Sequence, residues 1–212
     1  MRLTLSVIKA DVGSVGGHTL PSPAMLASVR ADVARAIDQG LLLDGFVSHT
    51  GDDICITMSH ARGKDHADIH GFAWNAFRKA TDVAAEAGLY GAGQDLLVDA
   101  PSGNVRGAGP AVAELEFEHN PVKTNKIRSA ESFCVFAADK CGPGAYNLPI
   151  YLAFADPMYC AGLMLPKLAK GFAFRIVDMD HTEGDRTITL NAPEDAYGIT
   201  ALLRDNERFG IA

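Results

Sequence analysis

The hydrophobic period of this chain switches from two to about 3.6 and back again along its first half, and no other feature restricts the fold as much. Leu3, Leu5 and Val7 alternate with other positions, which predicts a half-buried strand over residues 2–9. Ser22-Pro23 then reads as a helix start, with serine as cap and proline at the first helical position. Leu26, Val29, Val33 and Ile37 recur at helical spacing, and Gly40 reads as the stop. Leu41–His49 and Ile54–His60 are expected as strands joined by Thr50-Gly51-Asp52-Asp53. Asp65 is positioned to cap a long helix reaching about Ala87, with Ile69, Phe72, Ala73, Ala76, Phe77 and Val83 on its apolar face.

After Gly88 the texture changes. Glycines at 88, 91, 93, 103, 107 and 109 mark a long loop, and loops of that length in compact domains usually carry function. Strands are expected at Val112–Glu118 and Phe133–Ala138, a short helix near Ile150–Phe154, and strands at Phe172–Val177 and Thr187–Leu190. Pro193 is expected to open a last helix ending near Arg204. The order β-α-β-β-α followed by more strands predicts an α+β layered sandwich rather than a doubly wound parallel sheet.

Composition narrows the partners. The 212 residues are 48% hydrophobic and 21% charged, with a net charge of -7. That balance supports a buried core and disfavours nucleic acid and anionic lipid as partners. No run approaches the roughly 20 apolar residues of a membrane span, and no secretory leader is visible at Met1. Cys55, Cys134, Cys141 and Cys160 form no C-x-x-C pair, so reduced thiols in a cytoplasmic protein are expected.

The acids fall at chain reversals. Asp11 ends the first strand, Asp52 and Asp53 occupy a turn, Asp95 follows Gln94 in the glycine-rich loop, and Asp139 ends an expected strand beside Lys140. Carboxylates gathered at one sheet edge repel, and a divalent cation relieves that repulsion. An all-oxygen set suits Mg²⁺, with Ca²⁺ or Mn²⁺ as lesser options. A lone aspartate at such a place is ordinarily a turn residue; the set carries the expectation. Gly13, Gly16 and Gly17 around Ser14, and Ser102–Gly107, have the backbone donors for an anion concavity, yet neither is a Walker or dinucleotide fingerprint. His66 and His70 lie four apart but lack the glutamate of a zinc protease helix.

Longer stretches add a resemblance. TLSVIKADVGSVGGHTLP, SHTGDDICITMSHARG, HGFAWNAFRKA, LYGAGQDLL, SGNVRGAGPAVAELE and ADKCGPGAYNLPIYLAFADP, in that order, resemble the archaeal-type fructose-1,6-bisphosphate aldolase/phosphatase family, the class V fructose-1,6-bisphosphatases. The resemblance implies a Mg²⁺-dependent, homo-oligomeric enzyme of gluconeogenesis with an α-β-β-α sandwich, acting on fructose 1,6-bisphosphate or dihydroxyacetone phosphate. By motif, Asp11, His18, Asp52, Asp53, Gln94 and Asp139 would hold Mg²⁺, and His18, Tyr90, Gly103, Asn104 and Lys140 would contact sugar phosphate. Tyr90 would reach a neighbouring subunit's site. The family's second half carries a Schiff-base lysine, a tyrosine acid and further carboxylates, and no residue here takes those roles by motif. Residues 1–212 are therefore expected to form a single domain matching the family's N-terminal part, truncated relative to its members. Asn120–Ser129 looks like an insertion. Metal-dependent phosphate hydrolysis is the expected activity. The alternative is a half that binds metal and sugar phosphate without turnover until a second half joins it.

Overall fold

The computed structural model describes residues 2–97, 107–118, 135–139, 141–160, 163 and 170–212. Two compact units emerge, Met1–Asp139 and Lys140–Ala212. Each is an antiparallel sheet with helices, so the fold is α+β as the periodicities predict.

The first unit holds strands β1 (Arg2–Asp11), β2 (Asp44–Thr50), β3 (Asp53–His60) and β4 (Ala111–Glu118), and helices α1 (Pro23–Asp38) and α2 (Ala67–Glu86). The sheet order is β2-β3-β1-β4. Helix α1 starts where the sequence says: the Ser22 side chain accepts from the Met25 N–H at 3.2 Å with Pro23 at the first turn. It stops at Gln39, beyond which Gly40 takes φ +71°. Helix α2 starts one residue later than expected. His66, not Asp65, is its cap, because Asp65 adopts φ +56° and donates its N–H to Glu114 Oε2 at 2.6 Å.

Both helices cover one face of this sheet. Met25, Val29, Ile69 and Phe77 from the helices meet Ile54, Ile56 and Met58 from β3, and all are fully buried. Burying each such side chain contributes roughly 1.5–3 kcal/mol. On β1 the deeply buried residues are Thr4, Ser6, Ile8 and Ala10. Leu3, Leu5 and Val7, whose alternation predicts the strand, occupy the opposite face and are half-buried. Their cross-strand neighbours on that face include Phe46 of β2, through Thr57, and Leu115 of β4, both exposed.

Ser6, Glu114 and His60 form one chain of hydrogen bonds. Ser6 Oγ donates to Glu114 Oε1 at 2.6 Å and so accepts from His60 Nε2 at 2.8 Å. His60 Nδ1 then accepts from the Arg62 N–H at 3.3 Å. The imidazole is held neutral in one tautomer, and burial pushes its pKa below the ordinary 6.5.

The second unit holds α3 (Asn147–Phe154), β5 (Phe172–Asp178), β6 (Thr187–Ala192), α4 (Ala196–Leu203) and β7 (Phe209–Ile211), with sheet order β6-β5-β7. Phe174, Ile176, Ile199 and Phe209 form its core. The buried Asn147 amide donates to the Leu203 and Phe209 carbonyls and accepts from the Ile211 N–H, joining α3 to α4 and β7. Of the strand expected at Phe133–Ala138, Phe133 and Cys134 lie outside the described residues, and the rest is corrected. Val135–Ala138 join no ladder among the described residues, and Val135 and Phe136 are exposed. A short apolar run carries no period by which to separate strand from loop. Cys55, Cys141 and Cys160 are free thiols. No helix among the described residues is long and apolar enough to cross a membrane.

Candidate metal and phosphate site

Antiparallel register brings distant aspartates together. Asp11, the last residue of β1, pairs with Asp53, the first of β3. The turn preceding β3 supplies Asp52, and all three are buried. Gly51 opens that turn at φ +57°, a conformation two-residue hairpin loops demand. A Cβ there would stand 2.7 Å from Asp139 Oδ2, so glycine also admits the fourth carboxylate.

The result is two groups that share Asp52: Asp11, His18 and Asp52, and Asp52, Asp53 and Asp139. Within each group one ligand atom per residue lies within 4.8 Å of the others. His18 arrives on the loop after β1 with φ +47°. Its Nδ1 lies 3.0 Å from Asp52 Oδ2 and 3.8 Å from Asp11 Oδ2. Gly13 lets that loop settle on α2, since a Cβ there would stand 2.6 Å from the Ala84 Cβ, at φ +136°. Tyr90 is drawn in by a two-way backbone bridge to Ser14, at 2.9 and 3.2 Å, and meets the His18 ring edge-on at 4.8 Å between centroids. Gln94 opens a 3₁₀ turn, Gln94–Leu96. Its neighbour Asp95 accepts the Asp11 N–H at 2.9 Å and so pins the end of β1. Gly103, Asn104 and Lys140 lie outside the described residues, as does Asn120–Ser129.

Sequence reasoning missed Lys9. It sits two residues before Asp11 on the same face of β1 and pairs with Asp53 Oδ2. That spacing was the available signal. Burial would lower the Lys9 pKa, but the bond to Asp53 and the charges of Asp53, Asp139 and Asp95 outweigh it and raise it. Burial likewise pushes the Asp53 carboxyl up. Lys9 opposes that shift, Asp139 and Asp95 reinforce it, and the net direction is upward.

Carboxylate oxygens with one imidazole are a donor set for a hard divalent cation. Buried like charges this close are costly without a counter-charge; at Asp53 burial is the largest cause of the upward shift, and Asp139 and Asp95 add to it. The residues present fit such an ion.

Comparison with known proteins identifies the family. A family profile described as fructose-1,6-bisphosphatase matches residues 2–212. A fructose-1,6-bisphosphate aldolase/phosphatase of Thermus thermophilus is 56% identical over all of this chain and 56% of its own length. The proteins of that name from Ignicoccus hospitalis and Pyrobaculum neutrophilum are 48% and 46% identical, over 99% and 100% of this chain and 52% and 51% of their lengths. The chain thus spans about half the length of the curated relatives it matches, corresponding to their N-terminal part. With a match of that extent and the aspartates converged as they are, the chain belongs to the fructose-1,6-bisphosphatase family of aldolase/phosphatases.

Proposed function

We propose that this protein removes phosphate from fructose 1,6-bisphosphate with Mg²⁺ bound at the carboxylate cluster. One observation carries the reading: Asp52 is common to two adjoining ligand groups, Asp11/His18/Asp52 and Asp52/Asp53/Asp139. Gln94 is the sixth ligand of the proposed set. His18, Tyr90, Gly103, Asn104 and Lys140 would bind the sugar phosphate, or dihydroxyacetone phosphate in the aldol direction. The relatives' printed name covers both chemistries. We place the protein in gluconeogenesis, in the cytoplasm and in a homo-oligomer, with residues 1–212 acting as one domain.

A divalent ion, when bound, supplies positive charge to phosphoryl oxygens and acidifies a bound water. The chain's own residues do the rest. Asp11, Asp52, Asp53 and Asp139 present anionic oxygens at a fixed sheet end. Asp52 Oδ2 lies 3.0 Å from His18 Nδ1 and fixes the ring's place at the cluster. The Tyr90 edge packs against that imidazole and limits its rotation. Asp95 holds the Asp11 backbone, so this carboxylate is positioned before ligand arrives.

The test is phosphate release by the purified chain with Mg²⁺ and with EDTA. Release should need the ion. Asp52→Asn should lose at least the ~10–100-fold that even outer partners of metal ligands cost, with an unchanged circular dichroism spectrum. EDTA-insensitive release would overturn the reading. Ion binding without release would leave the alternative of a binding half.

A further inference from the structure

We propose that Lys9 is the resident counter-ion of the carboxylate cluster, a positioning residue that holds Asp53 until a divalent cation displaces it. The inference rests on the metal reading above. Asp11, Asp52, Asp53 and Asp139 gather in two adjoining ligand groups that share Asp52, and Asp95 adds a further carboxylate at the end of β1. His18 is the histidine among them. Left alone, such a set would repel itself apart. Lys9 answers that excess from within the sheet. Its ammonium pairs with Asp53 Oδ2, with the lysine side chain 21% and the aspartate side chain 4% exposed. The charges of Asp139 and Asp95 also act on it.

The residue type suits a replaceable occupant. Lysine is a compact point charge on a flexible stem, whereas the forked arginine guanidinium would lock a carboxylate in two bonds. A divalent cation at Asp53 and the Lys9 ammonium compete for the same oxygen, and they repel each other. Lys9 must therefore release Asp53 Oδ2 as the ion enters. Two consequences follow: the metal-free fold gains stability, and the ion binds more weakly than the bare carboxylates would hold it.

The experiment uses the full chain and the variants Lys9→Met, Lys9→Gln and Lys9→Arg. Mg²⁺ and Mn²⁺ binding is measured by calorimetry, and melting is measured in EDTA. Lys9→Met and Lys9→Gln should bind the ions at least about tenfold more tightly, since a neighbouring positive charge is gone. Both should melt roughly 2–4 °C lower in EDTA. Lys9→Arg should keep the metal-free melting temperature without any gain in affinity. Lys9→Gln retains a hydrogen bond to Asp53 and serves if Lys9→Met fails to fold. Unchanged or weaker binding in the neutral variants would overturn the proposal and leave the metal site standing. Failure of the wild-type chain to bind either ion would overturn the metal reading, and this proposal with it.

Discussion

His60 shows how one side chain ties stability to pH. It is buried among Ser6, Glu114 and the Arg62 N–H as a neutral ring. Its folded pKa lies below the ordinary 6.5 because burial disfavours the cation, a shift that Glu114 only partly offsets. The unfolded chain therefore takes up a proton first. His60's contribution is complete above 6.5 and is lost as pH falls through that value toward the lower folded one. Urea unfolding of the wild type and His60→Gln between about pH 5 and pH 8 should show a shallower acid limb in the variant. Parallel curves would contradict this. The aspartates of the site are visible in the sequence as turn acids; Lys9 leaves only its spacing to Asp11, since a lysine in an alternating strand otherwise reads as a solvated position. Asp95 groups with them by charge. Its role here is to hold the Asp11 backbone, which no spacing reveals.

At the scale of elements, caps and paired ends decide where helices and strands begin. Ser22→Ala should cost α1 about 1 kcal/mol, measured as a shift in urea midpoint with unchanged slope. In the second unit, Arg208 donates from Nε and Nη2 to the two Asp178 oxygens at 2.9 and 2.7 Å, linking the end of β5 to the approach to β7. That fork holds the Asp178 carboxyl at about 2, against an ordinary 3.8. Its stabilisation is present above 3.8 and lost as pH falls through about 2. The stability gap between wild type and Asp178→Asn should therefore be constant above about pH 4 and close below it. Strand β7, with three residues, is too short to leave a period in sequence, and the expectation of a helix opened by Pro193 holds only from Ala196.

For the whole molecule, a bound divalent ion is linked to folding. If the ion binds only the folded chain, saturating it to 100 times its dissociation constant should add about 2.7 kcal/mol. Thermal melting with Mg²⁺ against EDTA measures this. Asp52→Asn should abolish the difference, because Asp52 serves both ligand groups. A shift that survives in Asp52→Asn would place the ion elsewhere.

Sequence alone determined the α+β class, the span of α1 to within a residue at each end, the β2–β3 turn and the family. These rest on local periods, caps and ordered motifs, which are properties of neighbouring residues. The tertiary structure decided which face of β1 lies under the helices, since Leu3, Leu5 and Val7 could have faced either way. It also decided which acids converge. The Asp11–Asp53 pairing is a matter of strand register, which also sets Lys9 beside Asp53, and Asp95 and Asp139 reach it only once distant segments have packed.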